Sequence, residues 1–314
     1  MDRRSVLKSV VATVAGVGLS GVGDGAAVAK EKKTRMSRAK GQSMPFIETS
    51  DGVRLFYRDW GKGEPLVFLA PWGLHSDWWE HQMADLVGHG MRCIAYDRRG
   101  HGRSVEPAGG YEFDTLADDL SAVIEQLDLR GVTLVGQSVG CGELVRYVSR
   151  HGTRRITRIA MVAPIAPITV KTLDNPDGVE SGYLEKVREA LCQDRPHAIA
   201  GAAPAFFGVP KNPVSAEMMQ WWTDMLLQCS LRVLLELHRA FTVTDFRPDL
   251  STISLPTVII HGDNDTSTPI DLTGRKVARL ISGSELKVYE NAAHGLPITH
   301  MDRLNRDLFA FAKV

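Results

Sequence analysis

After residue 45 the apolar positions gather in short runs separated by stretches of helical spacing. The runs at 53–59 (VRLFYRD), 65–70 (PLVFLA), 91–97 (MRCIAYD), 131–136 and 156–163 (ITRIAMVA) are rich in β-branched and aromatic residues and read as strands. Apolar spacings of three and four predict helices over about 76–88, 114–127 and 139–151. Alternating strands and helices, with strands apolar throughout, predict a mostly parallel sheet covered on both faces. The rhythm breaks over 165–250, which offers no convincing strand. That stretch carries SGYLEKVREAL, MMQWWTDMLLQ and SLRVLLELHRAF between prolines and glycines. PTVIIHGD and ELKVYE then restore the alternation. The pattern predicts one α/β core from 44–164 and 251–314. Residues 165–250 are expected as a helical lid over the carboxyl ends of the strands, where such sheets bind ligands. No repeat of fixed period and no long low-complexity tract interrupts this plan.

The first 43 residues follow other rules. Arg3 and Arg4 precede a weakly apolar Gly/Ala/Val stretch that closes on Ala27, Val28 and Ala29. This order, with its RRSVLK run, predicts a twin-arginine-type signal peptide over 1–29, cleaved after Ala29, and hence a periplasmic or extracellular mature protein. The glycines and Asp24 argue against a stable spanning helix, so the mature form is not expected to insert in a membrane. Residues 30–43 (KEKKTRMSRAKGQS) lack apolar periodicity and read as a flexible basic leader.

Composition alters this picture little. Of 314 residues, 44% are hydrophobic and 24% charged, ordinary for a globular chain. Lys plus Arg equals Asp plus Glu at 37 each, so no net field draws nucleic acid. Loss of residues 1–29 leaves formal charge −1. Cys93 and Cys141 read as small core residues; Cys192 and Cys229 pair only if the middle segment brings them together. With no C-x-x-C or H-E-x-x-H, no metal site is expected.

The candidate chemistry begins in LVGQSVGCGE, residues 134–143. An apolar strand runs into a helix, and the chain must reverse within about one residue between them. Gly136 and Gly140 remove the side chains that would collide there, leaving Ser138 at the tip of a G-x-S-x-G nucleophile elbow. A serine hydroxyl needs a base, and the base needs an acid to fix its tautomer. Both should follow later strands in the order Ser, Asp, His. HGDNDTSTP supplies Asp263 and Asp265; Asp265 is the better placed, because Asp263 lies close enough to the strand end to serve the turn. NAAHGLPITH places His294 in a loop of small residues, while His300 opens the final helix and reads as a surface or capping residue. An oxyanion needs two N–H donors. The Val139 amide, at a helix start, is one; Trp72, in the loop after PLVFLA, is chosen as the other. Trp72, Phe206, Phe207, Trp221 and Trp222 are candidates for the pocket wall, the last four equally readable as ordinary helix packing.

With these residues located, the chain resembles the α/β-hydrolase superfamily over nearly all of 45–314, and more narrowly the cofactor-free bacterial haloperoxidases, perhydrolases and arylesterases. SDWWEHQM, AYDRRGHGRS, LVGQSVG, LDNPDGVESGYLEKVREAL, AFTVTDF, HGDNDTSTP and ELKVYENAAHGLPITH carry the resemblance. It implies an eight-stranded α/β-hydrolase sheet with Ser138 as nucleophile, Asp265 as acid, His294 as base, and the Trp72 and Val139 amides as oxyanion hole. It implies no cofactor and a small ester or lactone substrate, with peroxide able to replace water in a perhydrolase or haloperoxidase side activity. Four positions, in three places, depart from the family. Ala70-Pro71 stands where His-Gly is usual, Gly73 where proline often follows the oxyanion residue, and Cys141 where glycine is common. The first two alter how the second oxyanion donor is held. Carbon-carbon bond hydrolysis on the same triad, or a low-turnover binding or sensor protein on the same fold, stays open, as does a homo-oligomer.

Overall fold

The apolar runs assemble into one eight-stranded sheet. A computed structural model describes residues 45–165 and 167–313; the expected signal peptide and basic leader lie outside the described residues. The strands are β1 (Phe46–Glu48), β2 (Arg54–Gly61), β3 (Pro65–Leu69), β4 (Arg92–Tyr96), β5 (Val132–Gln137), β6 (Ile156–Val162), β7 (Thr257–Gly262) and β8 (Glu285–Tyr289). Their spatial order is β1-β2-β4-β3-β5-β6-β7-β8. β1 pairs antiparallel with β2 and β2 antiparallel with β4, while every pairing from β4 to β8 is parallel. β5 is buried at all of its positions, which is why its sequence shows no alternation.

Alternate residues of each strand feed two cores. Leu66, Phe68, Val135, Val162 and Ile260 face one side, with helices α1 (Glu80–Gly88) and α10 (Met301–Lys313) packed on them. Val67, Leu69, Leu134, Met161 and Ile259 face the other, covered by α2 (Phe113–Gln126), α3 (Val139–His151) and α8 (Gly274–Leu280). A 3₁₀ turn, Ser76–Trp79, precedes α1, so the single helix expected over 76–88 begins as a tighter coil.

Between β6 and β7 the chain forms α4 (Ser181–Phe207), α5 (Ala216–Gln228), α6 (Leu231–Val243) and the short α7 (Arg247–Leu250). α4 is two helices in effect. Asp194 leaves helical geometry (φ −153°, ψ 82°), its side chain accepts from His197 N at 3.0 Å, and Pro196 opens the second half. Leu191, Phe206, Phe207, Trp222, Leu226 and Leu234 from these helices join the core on the α1 and α10 side. Before α4 the backbone makes two isolated pairings, Val170 with Val179 and Thr172 with Asn175. α9 (Leu296–Thr299) leads into α10. Cys192 and Cys229 do not pair: all four cysteines are free, Cys192 exposed and the others buried. No helix among the described residues is long and apolar enough to cross a membrane.

Candidate active site

Ser138 sits where β5 turns into α3, at φ 54° and ψ −116°, a conformation costly for a residue with a Cβ. The glycines on either side explain how the turn closes. A Cβ on Gly136 would lie 2.7 Å from the carbonyl carbon of Gly140, and one on Gly140 would lie 2.5 Å from the carbonyl oxygen of Leu69 in β3. Both clashes are with backbone, so no side-chain motion relieves them. The turn is fixed further by the Ser138 amide, which donates to the Val162 carbonyl at 3.0 Å, and by Cys141 N–H, which donates to Ser138 O at 3.0 Å.

Asp265 and His294 come from loops after β7 and β8. His294 Nδ1 lies 2.7 Å from Asp265 Oδ2. The other carboxylate oxygen accepts from the Ser267 and Thr268 amides at 2.8 and 2.9 Å, and Thr268 Oγ1 donates to Oδ2 at 3.0 Å. Burial alone would raise this carboxyl. The charge of His294, with hydrogen bonds from His261 and His294, outweighs burial and holds Asp265 well below the usual carboxylate range. In the neutral imidazole, an anionic Asp265 keeps the proton of His294 on Nδ1 and leaves Nε2 as an acceptor. Asp263 takes another role: its carboxylate accepts from Asn291 N at 2.6 Å and ties two loops together.

Ser138, Val139, Trp72, Phe206, Trp222 and His294 line one cavity of about 250 Å³. Among the described residues neither the Trp72 nor the Val139 amide donates to a protein acceptor. Two sequence expectations for the wall are corrected. Phe207 is fully buried behind it, edge-on to Phe206 at 5.1 Å, because helical spacing turns consecutive residues to different faces. Trp221 likewise points away and stacks on Trp78 at 6.0 Å. His300 stands outside the cavity lining, its Nδ1 2.9 Å from Thr299 Oγ1.

The structure adds residues that the sequence reading passed over. Leu226, Phe241 and Ile165 complete the apolar wall. Gln137 bridges two loops, accepting from Trp78 Nε1 at 2.6 Å and donating to the His294 carbonyl at 2.8 Å. Its signal was a buried polar residue beside the nucleophile, which cannot go unpaired. Gly73 has φ 72°, and a Cβ there would run into Leu226 and lie 2.8 Å from Leu234 Cδ2. A proline ring, locked near φ −65°, cannot occupy that conformation, so this departure from the family pattern is built into the loop. Among the described residues no three His, Cys, Asp or Glu side chains gather as a metal-binding group.

The chain is similar in sequence and in fold to known proteins. A family model described as alpha/beta hydrolase fold matches residues 64–300. The chain is 42% identical over 272 residues to a non-heme chloroperoxidase from Kitasatospora aureofaciens, covering 85% of this chain and 99% of that one. It is 34% identical over 276 residues to a bifunctional esterase/perhydrolase from Acinetobacter calcoaceticus, covering 86% and 100%. The crystal structure of a bromoperoxidase from Bacillus anthracis superposes with a TM-score of 0.83 at 35% identity, covering 87% of this chain and all of that one.

Proposed function

This chain belongs to the alpha/beta hydrolase fold family, and from that premise we propose that it is a serine hydrolase of carboxylic esters or lactones working through an acyl-enzyme. The observation that carries the proposal is that His294, paired with Asp265 at 2.7 Å, lines the same cavity as Ser138 on its strained turn. His294 Nε2 takes the Ser138 proton as Oγ attacks the substrate carbonyl. The Trp72 and Val139 amides receive the oxyanion, the Val139 donor reinforced by the N-terminus of α3. Collapse of the tetrahedral species breaks the ester bond, and His294 returns the proton to the departing alcohol. Water then attacks the acyl-enzyme with His294 again as base, releasing the acid and restoring Ser138. Aromatic walls from Phe206 and Trp222 suit small to medium hydrophobic acyl or aryl groups. The mature chain is proposed to act outside the cytoplasm, after a twin-arginine-type signal.

A second reading, supported by the esterase/perhydrolase relative, is that hydrogen peroxide attacks the acyl-enzyme in place of water. The products are then a peracid and free Ser138, and the peracid oxidises halide away from the protein.

The test is hydrolysis of p-nitrophenyl acetate and butyrate by residues 30–314, beside Ser138→Ala, with chelator present. Turnover that survives chelation and disappears in the variant supports the proposal. A folded wild type without turnover, or a variant as active as wild type, overturns it.

A further inference from the structure

The AYDRRGHGRS motif plays no part in the chemistry above, yet its Arg98 is among the most enclosed charges in the molecule, its side chain 3% exposed. Its guanidinium reaches two elements at once. Nη2 donates to the Ala70 carbonyl at 2.7 Å, and Nε donates to Glu143 Oε1. Glu143, 1% exposed in its side chain, accepts at its other oxygen from Tyr96 OH at 2.8 Å. Ala70 lies two residues before Trp72, and Glu143 lies one helical turn after Val139 on α3, its side chain directed back toward the helix start. One buried side chain therefore joins the segments that supply the two oxyanion donors.

We propose that Arg98 is a positioning residue of the oxyanion hole: by holding the Ala70 carbonyl and Glu143 together it sets the spacing between the Trp72 and Val139 amides. The proposal rests on the serine-hydrolase reading. Peptide geometry makes the clamp tight. The Ala70–Pro71 peptide is planar and its carbonyl is held by Arg98, while the φ of Pro71 is fixed by its ring. One soft dihedral, ψ of Pro71, then separates the clamped carbonyl from the Trp72 N–H. On the far side the Trp72 indole donates to Leu234 O at 3.0 Å, which restrains that last freedom. The departure Ala70-Pro71 thus belongs to a loop held by backbone clamping. The planar arginine fork serves carbonyl and carboxylate through separate nitrogens held at fixed spacing, whereas a lysine must reach both from one nitrogen.

The experiment compares wild type, Ser138→Ala, Arg98→Lys and the uncharged pair Arg98→Met with Glu143→Leu. Exchange of a whole buried ion pair for apolar residues is often neutral for stability, so the double variant should stay folded by circular dichroism. The measurements are kcat and KM for p-nitrophenyl acetate and the inhibition constant of phenylboronic acid, which forms a tetrahedral adduct on the serine. The proposal predicts a fall in kcat of about ten- to a hundredfold with KM within about twofold, and boronate affinity weakened in parallel. Arg98→Lys should fall between. A folded double variant with wild-type kcat and boronate affinity overturns the proposal while leaving the hydrolase reading intact. If the double variant does not fold, Arg98→Lys decides in the same terms: lowered kcat at constant KM supports the clamp, unchanged kcat overturns it. Absence of Ser138-dependent turnover in wild type removes the hydrolase reading and the clamp with it.

Discussion

Gly140→Ala isolates the closeness of α3 to β3. The added Cβ would stand 2.5 Å from Leu69 O and 2.9 Å from both Leu69 C and Leu69 Cβ. Ordinary contact begins near 3.4 Å, so a displacement of about 0.9 Å is required. Leu69 pairs with Gly136 in β5, and β3 lies between β4 and β5, so the strand has little freedom to retreat. The helix must move, and Ser138 and Val139 at its start move with it. Overpacking of this kind costs about 1–3 kcal/mol, or about 3–10 °C in Tm for a domain of this size. A shift near 1 Å at the reacting atoms costs about a hundredfold in kcat. Gly201→Ala in α4 is the matched control. Its Cβ meets nothing within 4 Å, and the exchange should stabilise by about 0.5–1 kcal/mol with kcat unchanged. Differential scanning calorimetry and p-nitrophenyl butyrate kinetics measure both variants. A Gly140→Ala protein with wild-type Tm and kcat would refute the close approach.

Phe206→Ala removes a ring that is edge-on to Trp78 and His294 at 5.6 and 5.4 Å, and should raise KM for p-nitrophenyl butyrate more than for acetate; equal changes on both esters would place the acyl group elsewhere. His101 is fully enclosed; burial, then the charge of Arg98, lowers its pKa to about 3 from 6.5. The unfolded chain therefore binds a proton that the folded chain refuses between those values, so stability falls as pH drops below 6.5, by up to roughly 3 kcal/mol near pH 4. His101→Asn should flatten that limb of a denaturant-melt series, and an unchanged slope would contradict the assignment. A thiol reagent should titrate one cysteine, Cys192, in the native protein and four after denaturation; burial pushes the Cys93 and Cys229 thiols up to about 12 and keeps them unreactive. Reducing agent should leave Tm unchanged.

Much of the sheet was legible because strands buried on both faces carry unbroken apolar runs, as Leu134–Val135 in β5 and Val258–Ile260 in β7 do. β1 was missed because three residues cannot display a period. The elbow was legible through its glycines, since a turn this tight excludes other residues at those two positions. The pocket wall was less so. Phe206 and Phe207, or Trp221 and Trp222, are equivalent as letters, and only the rotation of each helix decides which of a pair faces the cavity. The partners of Arg98 and Gln137 were not legible, because each binds a backbone carbonyl far along the chain: Ala70 for one, His294 for the other.

The central claim is a covalent acyl group on Ser138. Rapid quenching of the mature protein with p-nitrophenyl butyrate, followed by intact and peptide mass spectrometry, tests it most directly. One butyryl group on the peptide containing Ser138, accumulating with the p-nitrophenol burst and absent from Ser138→Ala, is the predicted result. Steady turnover with no adduct on that peptide, or an adduct that persists in the variant, would contradict it.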